Sequence, residues 1–152
     1  MQTVETQIQE ILDRQALKDL VDTFSNLADE KRVAEQMCLF TEDAQVTTYM
    51  GGQLFADMKG RAQIEEVFTG FLANFHTVYH LNGQHSVTLQ GNEASAIHYC
   101  HVVLVGDQAG KNIIHNHGVR YQDEYVKAHG KWLIKKRIAH FMVSDSRELG
   151  VI

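Results

Sequence analysis

From His80 onward the apolar residues of this chain change their period, and that change limits what it can fold into. Before it, the long stretches to Leu27 and from Ile64 to Leu72 keep a spacing of three or four; after it the apolar residues alternate. Ile8, Ile11, Leu12, Leu17, Leu20, Val21, Phe24 and Leu27 draw one stripe along a helix of about six turns. A short second helix is predicted around Arg32 to Cys38, with Val33 and Met37 facing inward. Ala44 to Tyr49 reads as a strand closed by the turn Gly51-Gly52, and Ile64, Val67, Phe68, Phe71 and Leu72 mark a third helix. Four long strands follow, over 80–90, 94–106, 113–127 and 131–143. Their turns lie at Gln90-Gly91-Asn92, between Gly106 and Gly110, and at His129-Gly130. Helices first and hairpin-linked strands after predict a single α+β domain over residues 1–152, with N-terminal helices packed in a strongly curved, mostly antiparallel sheet.

Composition removes several function classes. A formal net charge of −5 argues against a nucleic-acid groove, which needs concentrated Lys and Arg. The one basic run, Lys135-Lys136-Arg137, lies in an alternating pattern and reads as an exposed strand surface. No apolar run is long enough to span a membrane. Cys38 and Cys100 sit in apolar company and read as reduced core residues. With no basic stretch and apolar segment at the start to act as a secretory signal, a cytoplasmic setting is expected. Around Ile97 to Val105 both strand faces are apolar, so one is expected to line the interior and the other to meet a second copy, as a dimer or trimer.

Nine histidines, seven of them between His76 and His117, suggest proton transfer or metal ligation. The pairs His76/His80 and His115/His117 have spacings that can place two imidazoles together, but no carboxylate completes a zinc motif. No metal and no cofactor are expected. The other chemistry open to a histidine is pairing with a carboxylate, which fixes the ring tautomer and makes the free nitrogen a base. Asp29, one step beyond the first apolar stripe, is a candidate partner; a solvated helix-end carboxylate and a structural histidine are the plain alternatives.

A family resemblance narrows these choices. Arg14 to Leu20, Leu27-Ala28-Asp29, Leu39 to Ala44, Gly60-Arg61, His80 to His85, Gly91 to Ala94, Tyr121 to Tyr125 and Gly130-Lys131-Trp132 together resemble the nuclear transport factor 2-like superfamily, in its SnoaL-like and scytalone dehydratase branch. The resemblance implies a cone-shaped fold enclosing a pocket for a small, mostly apolar, ring-containing molecule. It implies Asp29 and His80 as the catalytic pair of a lyase or isomerase, with Tyr49, His98 and Tyr121 as substrate-binding residues. His101 is one strand face away from His98. Ala28 stands where the dehydratase has a tyrosine, and Phe24 where the dehydrochlorinase of the branch has a lysine, so neither relative's substrate carries over. A non-catalytic small-molecule-binding module of the same fold is the alternative.

Overall fold

Thr3 opens the first helix by accepting a hydrogen bond on its hydroxyl from the Thr6 N–H at 3.2 Å, and pairs such as Gln9–Asp13, Glu10–Arg14 and Gln15–Asp19 lace its exposed side. In the computed structural model, which describes residues 1–150, this helix, α1, spans Val4–Asp29. It is followed by α2 (Val33–Gln36), a single 3-10 turn at Met37–Leu39, β1 (Phe40–Met50), β2 (Gln53–Lys59) and α3 (Arg61–Leu72). The second half is β3 (Thr77–Gln90), β4 (Glu93–Gln108), β5 (Lys111–Ala128) and β6 (Lys131–Glu148). The six strands form one sheet in the order β2-β1-β6-β5-β4-β3, antiparallel except where β1 runs parallel to β6. The sheet curls around α1 and α3 without closing. No helix among the described residues is long and apolar enough to cross a membrane.

The core lies between the concave face of the sheet and the C-terminal half of α1. Leu17, Leu20, Val21, Phe24 and Ala28 are buried there, against Val102, Leu104, Tyr121, Ile134 and Ala139 of the sheet. The expected apolar stripe is therefore only half used. Ile8, Ile11 and Leu12 are exposed because the first turns of α1 overrun the sheet. The rim is marked by Asp13, whose carboxylate accepts from Trp132 Nε1 at 3.0 Å and Lys127 Nζ at 2.8 Å. Gln53–Lys59, left unassigned by the sequence pattern, is a strand, paired through Gly51 and Gly52, whose φ of +57° and +81° form the hairpin turn. One other reading is corrected. Cys38 is exposed on the turn before β1, while Cys100 is buried as expected; both are free thiols.

Bulges in β3 and β6 decide which residues of those strands point inward. In β3, Asn82 opposes Cys100 but His85 opposes His98, so one residue is extra and the inward set shifts from His80 and Asn82 to His85 and Val87. In β6, Tyr125 opposes Ile134 but Glu124 opposes Lys136, leaving Lys135 extra. Trp132 and Ile134 face inward before it; Arg137 and Ala139 face inward after it. The run Lys135-Lys136-Arg137 is thus not one exposed surface, because the bulge turns Arg137 into the core at 1% exposure. A third bulge, at Met142, lies opposite Gly118 and Val119.

Gly106, near the end of β4, lies so close to the connection after α3 that an added Cβ would sit 2.4 Å from the Asn74 carbonyl oxygen. That atom belongs to the main chain and cannot step aside. Gly106→Ala is expected to destabilise the fold by about 1–3 kcal/mol, read as a lower urea midpoint with unchanged m-value.

Candidate functional site

Asp29 is the last residue of α1, and His80 is the fourth of β3. The helix end and the strand meet at two points. His80 Nδ1–H donates to Asp29 Oδ1 at 2.6 Å, and the His80 main-chain N–H donates to Asp29 Oδ2 at 3.2 Å. Using both carboxylate oxygens holds the ring and the strand together. With Nδ1 protonated toward Asp29, the lone pair of the imidazole is on Nε2. The His80 side chain is 9% exposed and that of Asp29 27%, so the pair sits at the wall of the interior with its carboxylate still touching solvent.

His80 lines a cavity of about 140 Å³ between the curled sheet, α1 and α3. Its walls are largely apolar, with Phe24, Phe68, Phe71, Val102, Leu104 and Phe141 among them. Phe24, Phe40 and Phe68 meet edge to face with centroids 5.9–6.4 Å apart, which stiffens one side. The polar groups on the wall are few: His80, Tyr121, Arg137, Gln36 and Thr48.

Arg137 reaches the cavity from β6 and is buried. Its Nε and Nη2 donate to the two oxygens of Asp123 at 2.8 Å each, and its guanidinium lies between the rings of Phe24 at 4.6 Å and Tyr121 at 4.1 Å. Nη1 is buried and has no partner among the described residues. Burial alone would push the Asp123 carboxyl up, but the charge and hydrogen bonds of Arg137 and the phenol of Tyr125 hold it below the ordinary carboxylate range. Tyr125 donates to Asp123 Oδ2 at 2.6 Å, and its oxygen in turn accepts from His85 Nε2 at 3.0 Å. Burial raises the Tyr121 phenol above its ordinary value and keeps it a protonated donor.

Of the residues singled out from sequence, His80 and Tyr121 line this cavity, and Asp29 joins them through its hydrogen bond to His80. His98 does not line it: the imidazole stacks behind Tyr121 at 5.2 Å, with Arg137 Nη2 at 3.5 Å from Nδ1. His101, one position out of phase, is exposed on the convex face. Tyr49 also lies on that convex face, stacked on His140 at 5.4 Å, because the inward residues of β1 are Val46, Thr48 and Met50. The expected place of Tyr49 in the pocket is thereby corrected. His85 and His117 are not plain surface residues either; His85 joins the Asp123 network and His117 is buried against Phe141 with Ser144 Oγ 2.7 Å from Nδ1. Arg137 and Gln36 escaped the sequence reading. For Arg137 there was a signal: apolar core positions at 132 and 134, then at 139 and 141, require an extra residue between them. Among the described residues no three of His, Cys, Asp and Glu converge as a metal-holding group.

The model of the SnoaL-like domain matches residues 9–138. An uncharacterized protein of Mycobacterium tuberculosis, Rv2910c, is 28% identical over 134 residues, covering 86% of each chain. Among solved structures, a candidate scytalone dehydratase from Novosphingobium aromaticivorans superposes with a TM-score of 0.77 at 19% identity, over 94% of this chain and 91% of that one. A hexachlorocyclohexane dehydrochlorinase, LinA type 2, superposes with a TM-score of 0.78 at 15% identity, over 96% and 95%. At these identities the superpositions establish a shared fold.

Burial, and then the charge of Arg137, push His98 down to about 3 from an ordinary value of 6.5. The folded state therefore binds fewer protons than the unfolded chain at acidic pH. Stability from this group is complete above pH 6.5 and is lost as pH falls toward 3. The urea midpoint is expected to drop across that window, and His98→Gln, which cannot titrate, to show a shallower drop than the wild type.

Proposed function

Because the chain belongs to the SnoaL-like domain family, we propose that it is a lyase or isomerase that moves a proton on a small, mostly apolar, ring-containing molecule held in the cavity. The observation that carries this is the Asp29–His80 hydrogen bond on the wall of an apolar cavity that also holds an unpaired Arg137 N–H. His80 Nε2 removes a proton from the carbon next to a carbonyl. Asp29 keeps the tautomer that makes this possible and stabilises the imidazolium that results. The electron pair from the broken C–H bond moves onto the carbonyl oxygen, where Arg137 Nη1–H and the Tyr121 phenol supply hydrogen bonds in place of water. Return of the proton to another carbon gives an isomerase; departure of a group from the adjacent carbon gives a lyase. The names of the two structural neighbours, a dehydratase and a dehydrochlorinase, both describe eliminations.

Ala28 before Asp29, and the scarcity of polar groups on the wall, also fit a pocket that binds such a molecule without changing it. Deuterium exchange separates the two. Incubated with aryl methyl ketones in D₂O, the protein is expected to exchange the methyl protons, followed by proton NMR. His80→Ala and Asp29→Asn are each expected to slow exchange by about 10²–10⁴-fold. Wild-type exchange rates in both variants would remove the base from the mechanism.

We also propose that two copies associate through the convex face. Leu81, His101, Gly118 and Val143 form one row across β3, β4, β5 and β6, and Tyr99 and Met142 border the same shallow groove. Leu81, Tyr99, Met142 and Val143 are 57%, 39%, 57% and 65% exposed, a contiguous apolar patch that a second copy can cover about a two-fold axis. Analytical ultracentrifugation is expected to find a species heavier than the 17.2 kDa chain, and Tyr99→Glu to return it to a monomer.

A further inference from the structure

Among the described residues that line the cavity, Arg137 is not alone in carrying a buried polar atom without a partner; Gln36 Oε1 is a second. Gln36, the last residue of α2, is 0% exposed. Its Nε2–H₂ group donates to the Phe24 carbonyl at 3.0 Å. That bond fixes which way the amide faces, since turning it over would set two carbonyl oxygens against each other. The oxygen therefore stays on the side away from Phe24. A buried amide oxygen without a donor costs about 1–3 kcal/mol, and a native fold carries few such groups.

We propose that Gln36 determines specificity: its carbonyl oxygen accepts a hydrogen bond from a hydroxyl or N–H of the ligand whose carbonyl accepts from Arg137. The proposal rests on the reading of this cavity as the substrate site and gives that site a substrate class. Besides the Tyr121 phenol and His80 Nε2, which serve the reaction, two residues of the wall carry a fully buried donor and a fully buried acceptor without partners, Arg137 Nη1 and Gln36 Oε1, so a ligand that satisfies both carries an acceptor and a donor. The charge of Arg137 is already matched by both oxygens of Asp123, so a neutral carbonyl fits where a carboxylate would bring an uncompensated charge into an apolar site. A volume of about 140 Å³ suits one ring with small substituents, since a cavity of about 150 Å³ holds benzene. The class is the neutral single-ring ketones that bear a hydroxyl or amino group, with the base His80 on the same wall.

Binding of acetophenone, 4-methoxyacetophenone, 3-hydroxyacetophenone and 4-hydroxyacetophenone to the purified protein tests this by calorimetry. At least one hydroxylated isomer is expected to bind about tenfold more tightly than acetophenone and the methoxy compound, whose oxygens donate nothing. Gln36→Met, close in size and without the acceptor, is expected to erase that preference; Gln36→Leu repeats the test in a second shape. Equal binding of all four by the wild type, no binding of any, or a preference that survives both substitutions would overturn the proposal. The wild-type series does not depend on the variants folding. The same samples report methyl-proton exchange, so the two readings fail separately. A hydroxyl preference without exchange removes the base and leaves Gln36 in place. Exchange without a preference does the reverse.

Discussion

The buried ion pair between Arg137 and Asp123 joins β6 to β5 beside the cavity, and much of the interior is arranged around it. Two charges taken out of water are costly, and only near-ideal geometry offsets the loss. Here each Asp123 oxygen accepts from Arg137 at 2.8 Å, Tyr125 adds a third hydrogen bond at 2.6 Å, and the guanidinium faces are covered by Phe24 and Tyr121. Removing one partner of such a pair typically costs about 3–5 kcal/mol, because the other is left charged and buried. The pair also orients the one guanidinium nitrogen that it does not use. In the function proposed above, structure and recognition share a side chain.

The candidate base is built differently. Asp29 and His80 come from a helix end and an edge strand, 51 residues apart in sequence. Their contact depends on the sheet curling far enough for β3 to reach the end of α1. Asn82 reinforces the same seam by donating to Asp22 at 2.9 Å, beside Ser25 at 3.1 Å. The base therefore sits where the sheet ends and solvent begins, while Arg137 and Gln36 lie deep. In the function proposed above, a ligand that spans the cavity meets the proton acceptor at one wall and its hydrogen-bond partners at others.

Much of this was legible beforehand. The change from helical to alternating period announces helices followed by an antiparallel sheet, and the glycine-bearing turns separate the long strands at Gly91, Gly110 and Gly130. The misread strand faces of β3 and β6 share one cause. Alternation tells which residues share a face only while the count is unbroken, and a single bulge residue inverts it. Lys135 turned an apparently exposed Arg137 inward, and the extra residue between Asn82 and His85 brought both His80 and His85 to the concave face. Tyr49 failed for the opposite reason: β1 keeps its phase, and a residue between two inward neighbours faces out.

By itself, then, the sequence determined the order of the helices and of the four long strands, the curvature-prone meander and the chemical types available, because periodicity and turn chemistry are local properties of the chain. It also proposed Asp29 and His80, through the motifs around them. Which charged groups are buried, which histidine stands behind a tyrosine rather than beside a ligand, and which polar atoms are left without a partner were decided only by the tertiary structure. Those properties depend on register between strands and on the packing of segments far apart in the chain, and no local pattern encodes them.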